Sequence, residues 1–153
     1  MFGRIFWRDG RLSIMPIRSD TVSEQRRSEI MRAVKSQGNK DTELALARFF
    51  RQHQIAGWRR AYSLCGKPDF VFPKLRVVIF VDGCFWHGCP RCYRRPASNT
   101  KYWDSKVSKN RQRDRKVRVT LRRCGWRVLR IWEHELARKN QSRLLRRLQV
   151  ALL

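Results

Sequence analysis

Residues 82–92 read Asp-Gly-Cys-Phe-Trp-His-Gly-Cys-Pro-Arg-Cys. Cys84, Cys89 and Cys92 fall at C-x4-C-x2-C spacing, and thiols this close in sequence force the surrounding chain to converge on one point. Three thiolates suit a soft tetrahedral metal such as zinc, which needs a fourth ligand. Within the first gap lie Phe85, Trp86 and His87. A knuckle that only replaced a local hydrophobic core would not need that insert, so the knot reads as a scaffold for a working loop. The remaining cysteines are Cys65 and Cys124. An odd total, in a chain whose charged N-terminus is unlike a secretory signal, argues against a disulfide framework. His134 is assigned as the fourth ligand, because it follows an apolar strand able to run beside the one ending at Asp82. Cys124 is its rival. His87 sits inside the loop closed by Cys84 and Cys89 and is left free, and His53 is expected to be a surface or packing residue.

The partner is indicated by charge. Thirty-six Lys and Arg against 12 Asp and Glu leave a net charge of +24 over 153 residues. Like charges at this density oppose folding, and such an excess is the electrostatic footprint of a phosphate-backbone binder. A ribosomal or chromatin-type structural protein would share it. No apolar run reaches roughly 18 residues, so no spanning helix is expected. The basic residues are spread along the chain between tryptophans, which suits nucleic acid better than a membrane surface.

Periodicity divides the chain into a loosely ordered extension over 1–18 and one domain over 19–153. Helices are expected over 19–34, with Ser23 as cap and Met31 near the end, and over 41–54. Strands are expected over 58–64 and 69–72. Residues 76–82, Arg-Val-Val-Ile-Phe-Val-Asp, have the continuous apolar character of a central strand covered on both faces. A long basic helix follows over about 101–124, ended by Gly125, then a strand over 126–132, a turn or short helix over 133–138 and an amphipathic helix over 140–153. The implied class is α/β, a mixed sheet flanked by helices.

Two acids bracket the central hairpin. If the strands joined by Pro73-Lys74-Leu75 are antiparallel, Asp69 at the start of one and Asp82 at the end of the other come side by side, and paired carboxylates bind a hard cation such as Mg2+. Beside a phosphate-binding surface, such a site suits metal-assisted phosphodiester cleavage. The bland reading is turn chemistry, since Pro-Asp and Asp-Gly are common strand boundaries. The arrangement resembles the PD-(D/E)xK nuclease superfamily, but the expected lysine two residues after the second acid is Cys84 here. His87 is the candidate replacement base.

Gly-Lys-Pro-Asp-Phe-Val (66–71), Val-Ile-Phe-Val-Asp-Gly-Cys-Phe-Trp-His (78–87), Lys-Asn-x-x-Arg-Asp (109–114) and Gly-Trp-Arg-Val-Leu-Arg-Ile-Trp-Glu (125–133) occur in this order. Together, over about Ser19 to Leu136, they resemble the very short patch repair endonucleases, Vsr. The resemblance implies a single-domain restriction-endonuclease-like fold with a structural zinc site. It implies Mg2+-dependent nicking of double-stranded DNA 5′ to the thymine of a T:G mismatch, the lesion left by 5-methylcytosine deamination. It also implies a monomer in a bacterial-type cytoplasm at the nucleoid, with mismatch-repair accessory proteins as partners.

The same resemblance implies residue roles. Asp69 and the backbone carbonyl of Val81 would hold the metal, and His87 would activate water. Asp82 stands where better-studied members have a second histidine, and it would orient His87 or add a metal ligand. Asp114 matches a further acid, with Asn110 one turn earlier on the same helix face, and Glu43 matches an acid of the second helix. The zinc ligands would be Cys84, Cys89, Cys92 and His134. Phe85, Trp86 and Trp103 would insert beside the mismatch from one side and Met31 from the other, which costs less where pairing is already poor. Trp58, Trp126 and Trp132 fit core positions. Two other readings stand beside this one: a nuclease of the same fold without mismatch preference, and a non-catalytic zinc DNA-binding module.

Overall fold

The computed structural model describes the backbone of Ile5–Arg8 and Arg11–Ile14 and residues 42–153. The expected helix over 19–34, with Ser23 and Met31, lies outside the described residues. The first two segments form an antiparallel ribbon, β1 (Ile5–Arg8) and β2 (Arg11–Ile14), with Arg8 opposite Arg11. A loosely ordered extension is the expectation there. An Asp-Gly dipeptide between apolar flanks is, however, a sequence signal for a two-residue hairpin link. The ribbon and the unit beginning at Lys35 are separate compact bodies.

In the larger unit, α1 (Glu43–Gln52) precedes β3 (Phe70–Phe72) and β4 (Val77–Asp82), and α2 (Thr100–Arg123) precedes β5 (Arg127–Trp132). A 3-10 turn over Glu133–Leu136, a second over Arg138–Asn140 and α3 (Gln141–Leu152) complete it. The sheet order is β3-β4-β5. β3 and β4 are antiparallel with Phe70 opposite Ile79, and β4 and β5 are parallel with Asp82 opposite Trp132. The sheet is therefore mixed, with β4 at its centre. The expected strand over 58–64 shrinks to one bridge between Arg59 and Val71. Ala61 has φ +52°, in the left-handed region that β-structure does not tolerate.

Strand alternation builds two cores, one on each face. Val77 and Ile79 of β4 join Phe70, Phe72 and Ile131 in contact with Leu46 and Phe50 of α1 and Leu144 and Leu148 of α3. Val78, with Phe80 and Val128 beside it, faces Leu121 and Val117 of α2. Asp82 and Arg130 share the parity of this second face and therefore point toward α2. The inward stripe of α2 runs Trp103, Val107, Asn110, Asp114, Val117, Leu121, at helical i+3 and i+4 steps. Its ends are apolar and its middle is polar, at the level of the end of β4. That interruption is the mark of a site rather than of packing alone.

Candidate functional site

Two side-chain clusters flank the end of β4. The first comprises Cys84, Cys89, Cys92 and His134, with one ligand atom from each within 4.8 Å of the others. His134 Nδ1 is 3.2 Å from Cys84 Sγ and 3.6 Å from Cys89 Sγ. Thiolate and imidazole donors around one tetrahedral zinc would stand about 3.6 Å apart, given Zn–S near 2.3 Å and Zn–N near 2.0 Å. Donor types and spacing thus fit such an ion. The parallel pairing of β5 with β4 brings in His134, just past the strand end. Cys124, the rival, is exposed at the far end of α2 and stands outside the cluster. Burial pushes the Cys84 thiol up to about 12, although hydrogen bonding with the His134 backbone opposes it, and the thiols of Cys89 and Cys92 raise it further. Burial also acts to raise Cys89, but hydrogen bonds from the backbone groups of Arg91 and Cys92 and the thiols of Cys92 and Cys84 together bring that thiol below its ordinary value.

Between Cys84 and Cys89 the chain makes tight turns, with His87 N–H donating to the Gly83 carbonyl at 3.2 Å and Cys89 N–H to that of Cys84 at 2.8 Å. Cys84 N–H donates to Glu133 Oε2 at 3.0 Å, and Asn110 Nδ2 donates to the Trp86 carbonyl at 2.9 Å. Arg111 donates to the Gly88 carbonyl. Gly88 has φ +62°, and a Cβ there would collide with Arg111 and Val107. The loop is thus pinned to α2 on one side and braced by the thiol cluster on the other. Phe85 and Trp86, half-buried, meet edge to face at 5.3 Å, and Trp103 lies beneath Phe85 at 5.0 Å. Trp103 is only 6% exposed, so its ring is a platform for the two loop aromatics. Trp58 packs on Phe50 and Phe70, and Trp126 joins the α2-side core, as expected. His53 packs on the Phe49 ring, at 4.3 Å.

The second cluster contains Asp82, His87 and Asp114. His87 Nδ1 is 2.6 Å from Asp114 Oδ2 and 3.7 Å from Asp82 Oδ1. Arg130 holds both carboxylate oxygens of Asp82, and its NH2 group is 3.1 Å from Asp114 Oδ2. Burial would raise Asp114, but the His87 hydrogen bond and the charge of Arg130 outweigh it and keep the carboxyl below its ordinary range. The surrounding cleft, of about 410 Å³, is lined by these four residues with Arg111, Arg115 and Arg118. A carboxylate on Nδ1 selects the tautomer in which Nε2 is free to accept a proton.

Asp69 lies apart from this group. With Phe70 opposite Ile79, Asp69 falls one step earlier, opposite Phe80, and is a diagonal neighbour of Asp82 rather than its partner. The expectation of a side-by-side pair is corrected by this register, and Asp82 is taken by Arg130. The Asp69 carboxylate instead accepts the Val81 N–H at 2.7 Å. β3 starts only at Phe70, so that N–H has no strand partner on this edge and the side chain substitutes for one. Backbone N–H and C=O of one strand residue face the same edge, so the Val81 carbonyl is directed toward the Asp69 side as well. Burial raises the Asp69 carboxyl to about 7; the Val81 hydrogen bond opposes this, and the charges of Glu43 and Asp82 add to it. Glu43, 5% exposed, is paired with Arg60, and both line the same cleft of about 560 Å³ as Asp69. The carboxylate and carbonyl oxygens are hard donors of the kind a divalent cation such as Mg2+ takes, in a cleft where Arg60 and Lys67 balance the charges of Glu43 and Asp69.

Arg60 and Arg130 escaped the sequence reading. For Arg130 a signal existed: it is a charge on the inward parity of Arg-Val-Leu-Arg-Ile-Trp, where only a partner tolerates burial.

A family model described as DNA mismatch endonuclease Vsr matches residues 19–94. The chain is 40% identical over 123 residues to the type II nicking enzyme V.XorIIP of Xanthomonas oryzae pv. oryzae (strain KACC10331 / KXO85), covering 78% of this chain and 88% of that protein. It is 40% identical over 119 residues to DNA mismatch endonuclease Vsr of Escherichia coli (strain K12), covering 75% and 74%. A shorter match, 54% identical over 69 residues, links it to the type II nicking enzyme V.NaeI of Lentzea aerocolonigenes, covering 45% of this chain and 42% of that relative.

Proposed function

Because the chain belongs to the Vsr family and is a DNA endonuclease, we propose that it nicks one strand of duplex DNA 5′ to the thymine of a T:G mismatch. The observation that carries the reading is the joining of three parts at the end of β4: a histidine–carboxylate pair, a carboxylate on the edge of Val81, and an aromatic loop beside them. His87, with Nδ1 on Asp114, accepts a proton from water at Nε2. Asp69 and the Val81 carbonyl would hold Mg2+, with Glu43 beside them. When bound, the ion would polarise the scissile phosphate and stabilise the leaving oxygen. Phe85 and Trp86 enter the stack beside the weak pair, on the Trp103 platform; Met31, the second wedge implied by the resemblance, lies outside the described residues. Deformability of a mismatched step then contributes selectivity. Cys84, Cys89, Cys92 and His134 would hold zinc, which would brace the loop and take no part in the chemistry.

The test is cleavage of an end-labelled duplex with one T:G mismatch, beside C:G and T:A controls, with Mg2+ and with a Mg2+-free buffer. A Mg2+-dependent nick confined to the thymine strand is expected. Equal cutting of all three duplexes would favour a nuclease without mismatch preference. The names of V.XorIIP and V.NaeI, type II nicking enzymes, favour a second reading in which a particular flanking sequence is also required. Placing the mismatch in varied flanks separates the two.

A further inference from the structure

Two acidic centres meet at the end of β4, and they differ in one respect. Asp69 has no guanidinium on its own carboxylate, whereas Asp82 has both oxygens engaged by Arg130. Asp82 is 3% exposed, so an unpaired charge there would be costly. Arg130 does not stop at Asp82. Its NH2 group also reaches Asp114 Oδ2, the same oxygen that meets His87 Nδ1. The guanidinium is thus the bridge between the sheet and the only α2 carboxylate in contact with His87 among the described residues. It stands where a cation bound by Asp82, His87 and Asp114 would have to sit.

We propose that Arg130 is a positioning residue of the nuclease, anchored two-pronged on Asp82 so that Asp114, and through it His87, is held in the orientation that exposes Nε2. Asp82 is then the anchor of this clamp and not a ligand of the catalytic metal. The planar fork of arginine matters because one rigid group must satisfy two carboxylates at once, which a lysine ammonium on a flexible stem does poorly. The inference rests on the nuclease reading and extends it.

The experiment is single-turnover nicking at saturating T:G duplex, together with DNA affinity at several salt concentrations. Arg130→Ala is expected to slow the chemical step about 100-fold, the size of effect that a misplaced catalytic group produces. DNA affinity and its salt slope should stay as in wild type. Asp82→Asn should cause a comparable loss, and the double variant should be no slower than either single one, because both changes break one clamp. Millimolar guanidinium should restore part of the Arg130→Ala rate and none of that of His87→Ala. If Arg130→Ala does not fold, Arg130→Lys replaces it, with a loss of about tenfold or more expected from the missing fork. The inference is overturned if either folded variant nicks within threefold of wild type. It is also overturned if the loss lies in affinity, with a salt slope shallower by about one, which marks a phosphate contact instead. A wild-type protein that cuts nothing would sink the nuclease reading itself, whereas a wild type that cuts beside an indifferent Arg130 sinks only this inference.

Discussion

Asp69→Asn makes a prediction about stability that is separate from activity. The carboxyl titrates at about 7 in the fold against 3.8 as an ordinary aspartate, mainly because it is buried. The folded state therefore holds the proton more tightly than the unfolded chain. Its stabilising effect is complete below 3.8 and is lost as the pH rises through 7. At about 1.4 kcal/mol per tenfold change in proton affinity, ionising Asp69 costs the Mg2+-free fold on the order of 4 kcal/mol. Asparagine keeps the shape and still accepts the Val81 N–H, but carries no charge. In urea unfolding without Mg2+, and with the thiol-cluster metal retained, Asp69→Asn should be more stable than wild type above pH 7. The gap should shrink steadily toward pH 4. Adding Mg2+ should stabilise wild type and leave the variant unchanged, while cleavage by the variant disappears. Parallel stability curves for the two proteins between pH 4 and 8 would refute the reasoning, since they would mean the carboxyl pays no burial cost.

Other parts of the site make separate predictions. Asp114→Asn should lower the nicking rate about 100-fold or more with little change in DNA affinity, the usual weight of a general base and its partner; a loss below tenfold would remove Asp114 from the chemistry. Phe85→Ala should abolish the preference for the mismatch and leave melting nearly unchanged, whereas Trp103→Ala should destabilise by about 3 kcal/mol, as expected for a buried aromatic; similar melting of the two would contradict the platform role. Stripping the metal from Cys84, Cys89, Cys92 and His134 should lower the melting temperature and open the Phe85–His87 loop to proteolysis, because ligand binding there is coupled to folding; an unchanged melt and digest would count against it. DNA affinity should fall about 1,000-fold between 50 and 200 mM salt if six phosphates are contacted, and a flat dependence would detach the +24 charge from binding.

What could be read from the sequence was whatever depends on local pattern. The apolar run ending at Asp82 specifies a central strand, and β4 is covered on both faces. The thiol spacing specifies convergence, and His134 joins because a parallel neighbour of β4 ends beside it. What could not be read was register. A shift of two residues in the hairpin, which keeps every side chain on its face, decides whether Asp69 faces Asp82 or Phe80, and no periodicity signal distinguishes these outcomes. The segment over 58–64 differs from expectation for a related reason: its residue types suit a strand, but the backbone at Ala61 is left-handed and pairing is confined to the Arg59–Val71 bridge.

Charge completes the argument that register begins. Of the two carboxylates that look equivalent in sequence, Asp69 and Asp82, only Asp82 has an inward arginine on the neighbouring strand, Arg130, which reaches it diagonally from opposite Phe80. Arg130 neutralises Asp82 within the protein, so that centre is complete without an added ion. Asp69 accepts one backbone N–H and feels the Arg60 charge without a direct contact, but burial outweighs both and its proton affinity rises. A buried acid without a resident cation either keeps its proton or acquires a cation from solution. That asymmetry is what the proposed division of roles rests on: Asp69 and the Val81 carbonyl would take the cation, while Asp82 and Arg130 would hold Asp114 against His87. A chain in which position 130 were apolar would leave Asp82 uncompensated and would need another residue type there, so positions 82 and 130 must change together for the site to persist.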